Sequence, residues 1–508
     1  MRFPAVLAIL QTVAAVPLIP SYFRARDITP RDISSTTVQL ELGGQLSNTT
    51  TIFGPDNAGF ANATARWDTY AMPQVQVVVE PGDESDISKI VKYCNENSVD
   101  FLAYNRGHGN PTSLSSFNGI QISIGSLNKI TVQPDGNSAW LQGGVYDGPV
   151  NRYLWEKGYE TTTGAADCVG VAGAGLGGGH GRLQGVHGMV SDNFLQFNVV
   201  LADGSAVRVN STSHSDLYWA LRGAGHNFAI VTSMEMKIFP RGPDTWHYKN
   251  YVWAGDKLDA VFTALNDLHN SDNGTTPVIM AVNYGSFLVL PTISETEPVL
   301  SWQFAARGGA EEAAPYLAPF DAIEALSTSS GDVPYPEVAH AQSVGENDIT
   351  CAGRMNRLLS TAGLQVYNLT AEHQIYDSFV QRLAATPGLV SSSIIIHEGY
   401  ATKAVQEIDS DSSAYPFRAD NILTQFQGNL PEGASSDDED TMLEWAKEIQ
   451  GLWNAGQPGR APSAYVNYAM GYEGVQEWYG GPWRVEKLRA IKAQYDPDNR
   501  FRFYNPLV

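Results

Sequence analysis

The chain has 508 residues, 43% of them hydrophobic and 17% charged, with a formal charge of −22 at neutral pH. These are the proportions of a globular protein with material for two or three domains. An excess of 54 acidic over 32 basic residues argues against a nucleic-acid binder, whose phosphate contacts need clustered Lys and Arg.

In chain order, "MRFPAVLAILQTVAAVPLIP" comes first. One arginine, an apolar stretch from Ala5 interrupted by Gln11, and small residues around Ala14 and Ala15 have the layout of a secretory signal over residues 1–16. The expected location is therefore the secretory pathway, secreted or vesicular. No later run is long and apolar enough to span a bilayer. Asn48, Asn62, Asn210, Asn273 and Asn368 each open an N-x-Ser/Thr acceptor for glycosylation, a number close to that expected by chance.

From about residue 70, strand and helix alternate. "QVQVVVEP" (74–81) is a β-branched strand, followed by an acidic first turn and a helical period at Ile87, Ile90, Val91 and Cys94. "FLAY" (101–104) is a second strand and "GIQISIGSL" a third, with Ile120, Ile122 and Ile124 alternating. "FLQFNVVLADGSAVRVN" (194–210) is a hairpin turning at Asp203 and Gly204. Residues 70–240 thus form one α+β unit. In 241–460, helical stretches such as "DKLDAVFTALNDLHN" (Leu258, Val261, Phe262, Leu265, Leu268) alternate with strands such as "PVLSWQFAA", predicting a sheet backed by helices. Within it, "SSDDEDTMLEW" (435–445) reads as a helix cap and its acidic first turn. The tail 461–508 is rich in aromatics and closes on a turn-plus-strand pattern, "YDPDNRFRFYNPLV".

Three segments stand apart by their glycines. "NRGHGN" (105–110) places a histidine between two glycines directly after a buried strand. "GAADCVGVAGAGLGGGHGRLQGVHGMVSDN" (164–193) contains a G-x-G-x-x-G from Gly173 to Gly178, but glycines continue through Gly179, Gly181, Gly185 and Gly188. Each glycine inside a helix costs about 1 kcal/mol against alanine, so the helix that a dinucleotide-binding turn requires is not expected to start here. "DLYWALRGAGHNFAIVTS" (216–233) passes through Gly223 and Gly225 into a strand at 229–232. One large cofactor approached at several points accounts for all three, because glycines let backbone N–H groups come close to a flat or anionic ligand. His180 and His226, inside these clusters, read as core or turn histidines. Three cysteines, Cys94, Cys168 and Cys351, allow one bridge but no disulfide framework; Cys168 reads as a small buried residue. No Cys/His spacing fits a metal site.

These motifs, in this order and with the ending "YDPDNRFRFYNPL", resemble the FAD-linked oxidases of the vanillyl-alcohol-oxidase (PCMH) type, in the branch of berberine bridge enzyme and its fungal biosynthetic relatives. The resemblance covers about 65–240 and 461–508. It implies an α+β fold: a two-subdomain FAD-binding domain (70–240), a substrate domain with an antiparallel sheet backed by helices (241–460), and a C-terminal segment (461–508) that completes the flavin site. It implies FAD bound covalently through His108, with Arg106, Gly107, Gly109 and Asn110 wrapping the pyrophosphate. Further cofactor contacts fall on Gly170, Gly173, Gly178, Gly179, Ile230 and Val231. Bicovalent members carry a cysteine where this chain has Ala166, so the resemblance implies attachment through His108 only, unless a slip of the loop brings Cys168 to the ring. "APSAYVNYAMGYE" (461–473) resembles the family's Y-x-N-Y strand, which makes Tyr468 the candidate base with Asn467 and Tyr465 beside it; a packed aromatic is the alternative for Tyr468. Where the family often has an Asp two residues on, this chain has Met470.

The implied activity is an FAD-linked oxidoreductase taking a hydride from a small organic substrate, such as a secondary-metabolite alcohol or a ring-closing intermediate, with O2 reduced to H2O2. A carbohydrate oxidase, a dehydrogenase of the same fold, and a flavoprotein guiding a non-redox cyclisation remain the alternatives. The expected partners are the small-molecule substrate and O2, with no nucleic acid and no membrane span.

Overall fold

A computed structural model describes residues 33–508; the expected leader, residues 1–16, lies outside them. Three large sheets and a two-stranded ribbon, Tyr159–Glu160 with Phe239–Pro240, organise the described residues. The first orders Thr51–Phe53, Gln74–Glu80, Asn118–Ser123 and Asp100–Tyr104, the last three parallel. Its crossover is the helix Glu84–Glu96, capped by Asp83, whose carboxylate accepts from the Ser85 N–H. Ile87, Ile90, Val91 and Cys94 on that helix are buried against Val77, Val79, Ile120 and Ile122. Strand Asn118–Ser123 is covered on both faces, as parallel strands usually are.

The second sheet is antiparallel: Ile130–Val132, Ser138–Gln142, Ile230–Lys237, Phe194–Val200 and Ala206–Asn210. The last two form the expected hairpin, with Gly204 at φ +83° in its turn. The third sheet has seven antiparallel strands in the order Ser327–Val333, Trp246–Trp253, Ser294–Ala306, Val282–Leu290, Ile394–Tyr400, Ile422–Leu430 and Asn356–Leu364. Helices Leu258–Asn270, Leu369–Ala385 and Ser436–Ala455 cover one of its faces with an aromatic core that includes Phe262, Trp302, Phe379, Phe426, Trp445 and Trp453. Ser435 caps the last of these helices through a box with Asp438. The other face looks toward the glycine-rich segment, with Tyr400 and Leu423 packed beside Leu183, Met189, Tyr415 and Tyr465. Among the described residues, no helix is long and apolar enough to cross a membrane.

Two expectations change. The glycine segment does contain a helix, Val171–Leu176. Packing overrides propensity there: a Cβ on Gly175 would fall 2.4 Å from the Phe194 ring and one on Gly225 2.3 Å from Leu176, so the glycines let this short helix sit tightly against its neighbours. The tail forms no strand. Side chains hold it instead, with Asn505 Nδ2 donating to the Val466 and Ala469 carbonyls and the Leu507 N–H donating to Asn227.

Candidate active site

The strand Asp100–Tyr104 delivers the chain directly into the loop that carries His108. Gly107 turns it at φ +71°, where a Cβ would lie 2.8 Å from the Tyr104 ring. Gly109 lies against Tyr504, 2.6 Å from where its Cβ would be. Asn110 Nδ2 donates to the Tyr468 carbonyl (3.4 Å), and the Thr112 N–H and hydroxyl both donate to the Met470 carbonyl (2.7 and 2.9 Å). The histidine loop and the C-terminal tyrosine turn are therefore tied directly to each other. Among the described residues, none hydrogen-bonds the His108 ring, which lies against Trp67 at 5.8 Å and 28°. Burial, with Arg106 and Arg357 adding positive charge nearby, lowers its pKa to about 4. At neutral pH the imidazole is uncharged and keeps a nucleophilic lone pair.

Arg106 is engaged outside the loop: its guanidinium sits 4.1 Å over the Tyr146 ring, its Nε donates to the Cys168 carbonyl (3.3 Å), and Glu346 lies 3.9 Å away. The buried cation without a hydrogen bond or carboxylate partner among the described residues is Arg66, 5% exposed, over Tyr104. Burial lowers its pKa to about 10.

In the glycine segment, Gly170 leads into the short helix beside Asn105, whose Nδ2 holds the Gly143 and Val145 carbonyls. Gly173 faces open space, with no atom within 4 Å of a built Cβ. Gly178 and Gly179 have φ +111° and +82° and pack against Tyr415 and Val190. The Gly179 N–H donates to the Tyr465 hydroxyl (3.1 Å). Ile230 and Val231 are buried in the second sheet, paired with Val200 and Val199.

Residues 465–469 form one helical turn rather than a strand, with the Tyr468 and Ala469 N–H groups both donating to the Tyr465 carbonyl. That turn brings the Tyr465 and Tyr468 rings to 5.0 Å. Asn467 Nδ2 donates to the Ala174 carbonyl (2.9 Å) and to the Tyr465 hydroxyl (2.7 Å), pinning the turn to the glycine segment. The Tyr468 hydroxyl donates to Glu398 Oε1 (2.9 Å), and the Tyr400 hydroxyl to Oε2 (2.6 Å). Glu398 was not foreseen. Its signal in the sequence is a carboxylate near the end of "IIIHEGY", an otherwise apolar strand. It supplies the acidic partner that Met470 does not; the Met470 sulfur instead accepts the Leu359 N–H (2.8 Å).

Burial raises the Glu398 pKa above its usual value, against the two tyrosine hydrogen bonds. Burial and the Glu398 charge push Tyr468 well above the usual tyrosine value. His180 lies beside this group: its ring nitrogens meet Gln184 Oε1 (3.1 Å) and the Tyr415 hydroxyl (2.8 Å), and its ring stacks on Tyr400 at 5.4 Å. Its pKa is lowered to about 4, chiefly by burial. His180, Tyr400, Tyr415, Phe417 and Tyr465 line a cavity of about 10 Å³, room for about one water. His226 Nε2 donates to the Gly173 carbonyl (2.9 Å) and its ring stacks on Tyr504.

Cys168 is not a free thiol. It is bonded to Cys351, 183 residues away, while Cys94 is the free, buried cysteine. A sulfur in that bond is not available to a flavin, so the loop-slip alternative for Cys168 does not apply to this state. The residues fit FAD on several counts. His108 offers a neutral ring with no competing hydrogen bond among the described residues, Gly173 leaves open space beside its backbone, and Arg66 is a buried cation without a partner among the described residues, suited to phosphate. Two polar atoms flanking the glycine stretch, His226 Nδ1 and Asn467 Oδ1, also lack a partner among the described residues.

Comparison with known proteins agrees with this geometry. A profile of the FAD binding domain matches residues 75–210, and one described as berberine and berberine like matches 464–507. The FAD-linked oxidoreductase iacH of Pestalotiopsis fici is 51% identical over 98% of this chain and 96% of its own length. FAD-linked oxidoreductase anuG of Penicillium roqueforti is 49% identical over 94% of each. Among solved structures, glucooligosaccharide oxidase from Acremonium strictum, whose FAD is 6-S-cysteinyl, 8α-N1-histidyl, superposes with a TM-score of 0.74 at 21% identity, over 91% of this chain and 97% of that one.

Proposed function

The chain belongs to the berberine-like FAD-linked oxidoreductases, and from that premise we propose that it takes a hydride from a small, hydrophobic or phenolic secondary-metabolite intermediate, oxidising an alcohol or closing a ring, with O2 as electron acceptor. The observation that carries this is the hydrogen-bonded group of Tyr468, Glu398 and Tyr400, tied to the His108 loop through Asn110 and Thr112. FAD, when bound, supplies the hydride acceptor. His108 would attach it alone, a reading supported by the Cys168–Cys351 bond, which occupies the Cys168 sulfur. Arg66 would hold its phosphate charge.

The chain's own task is the proton. A buried tyrosine near a carboxylate is a poor source of free phenolate, so Tyr468 need not lose its proton in advance. Its oxygen accepts the substrate proton as its own passes to Glu398 Oε1, while the Tyr400 hydroxyl holds Oε2 in place. A secretory location is supported by the disulfide, since cytosolic thiols are kept reduced. Of the five glycosylation acceptors, Asn48, Asn62 and Asn273 are exposed. Asn368 caps a helix and Asn210 closes a turn through their side chains, so both are committed.

A second reading, carbohydrate oxidation, is favoured by the likeness to glucooligosaccharide oxidase. Oxygen uptake and H2O2 release across a panel of phenolic alcohols and oligosaccharides decide between the two. Turnover without O2 consumption, or slow reoxidation in air of dithionite-reduced protein, removes the oxidase assignment.

A further inference from the structure

We propose that the Cys168–Cys351 bridge and Trp67 together position His108 for attachment to the flavin, so that attachment is efficient only after the bridge has closed; this rests on the reading of His108 given above.

With no hydrogen bond from a described residue to orient it, the His108 ring takes its direction from packing, and Trp67 is stacked on it. Trp67 is in turn fixed from several sides. Its backbone N–H donates to the Gly107 carbonyl (3.1 Å), and the Arg357 guanidinium lies 3.6 Å over its ring. Its indole N–H donates to the Thr350 carbonyl (2.7 Å). Thr350 directly precedes Cys351, in the four-residue helix Ile349–Ala352. From Cys351 the disulfide leads to Cys168, whose carbonyl accepts from Arg106, two residues before His108. The contacts therefore form a closed circuit around the attachment histidine, and the disulfide is its only covalent cross-link. Opened at sulfur, the circuit leaves Thr350 on a one-turn helix whose first residue, Ile349, is 70% exposed. A short exposed helix of that kind is marginal by itself, and Trp67 would then lose a fixed anchor.

Closing the bridge transfers two electrons and two protons from the cysteine thiols to a disulfide-bearing oxidant by exchange. Attachment forms a bond between a His108 ring nitrogen and the 8α-carbon, with one proton lost from each; the two electrons left behind go to O2, which takes up the protons as H2O2. Such bond formation depends steeply on geometry, and a displacement of about 1 Å can cost a hundredfold. An imidazole held at the correct angle is therefore the quantity that the bridge controls, and a chain folded without an oxidant would bind flavin but couple it slowly.

The test follows covalent flavin per chain, by fluorescence of the denatured band and by intact mass, during incubation of apoprotein with FAD. Wild type is compared with His108→Ala, Trp67→Ala, Trp67→Phe and the double variant Cys168→Ser/Cys351→Ser, and wild type is also run with a reducing agent. The expected result is coupling about tenfold to a hundredfold slower in the double variant, in reduced wild type and in Trp67→Ala, with dissociable FAD still bound. Trp67→Phe restores part of the rate, since it keeps the stack and loses the bond to Thr350. Unchanged coupling in folded double variant or in reduced wild type, or in Trp67→Ala should the double variant not fold, overturns the proposal. A wild-type band without fluorescence removes covalent attachment at His108 itself, and this proposal with it.

Discussion

His397 and Glu398 are neighbours in one strand and point to opposite faces of the seven-stranded sheet, as alternation requires. His397 enters the helix-covered face, where its Nε2 meets Glu372 Oε2 at 2.9 Å, both side chains fully buried, with the ring stacked on Trp302 at 5.5 Å. Glu398 enters the side toward the glycine-rich segment and accepts from two tyrosine hydroxyls. Both are buried polar groups with partners. The difference lies in where the partners sit: a hydrogen-bonded pair walled in by aromatics is fixed, whereas hydroxyls beside the site can give up and regain a proton. One face of the sheet is built to hold and the other to exchange.

The sharpest way to break this comparison is Tyr468→Phe or Glu398→Gln. Either lowers kcat/KM about 10² to 10⁴-fold, the range for a lost acid–base group, with the covalent flavin unchanged. The pH profile adds a sign. The reaction needs ionised Glu398, whose pKa is raised by burial, so the acid limb of kcat/KM sits above the usual glutamate value and disappears in Glu398→Gln. Because the folded state holds that proton more tightly than the unfolded one, Glu398 costs stability as pH rises through its folded pKa. Glu398→Gln therefore melts no lower than wild type at pH 8, and a marked fall would contradict this role. On the opposite face, Trp302→Ala costs about 3–5 kcal/mol in urea denaturation, and the protein that stays folded keeps its turnover.

Smaller effects refine the picture. Arg66→Met, in a His108→Ala background where flavin can dissociate, weakens FAD binding about tenfold to a hundredfold, the worth of a charged hydrogen bond; titration of the apoprotein measures it. Asn368→Ala removes a helix cap on the helix-covered side and costs about 1 kcal/mol with no change in kcat.

Local pattern carried much of this into the sequence. The period at Leu258, Val261, Phe262, Leu265 and Leu268, the hairpin at Gly204 and the cap at Ser435 are all set by residues within one or two turns of each other, which is why they were legible. The His108 loop was legible for the same reason, since its glycines and its strand are contiguous. What escaped depends on distance along the chain. Glu398 lies 70 residues from Tyr468 and Cys351 lies 183 from Cys168, and only strand order brings them together. The one-turn geometry of 465–469 was missed because Y-x-N-Y alternates like a strand, while the bonds that bend it come from Asn505 and the glycine segment.

The tie between Asn110 and Tyr468 spans 358 residues, and its consequence lies in the order of folding. Closing a loop of that length comes late, after hairpins and helices have formed from contacts close in sequence. The tyrosine turn is then among the last parts to assemble, because its ties to Asn110, Glu398 and Asn505 all wait on segments distant in sequence or on the last residues of the chain. In a refolding series, turnover should return after far-UV circular dichroism does, and the lag between the two would measure how late the two halves of the site meet.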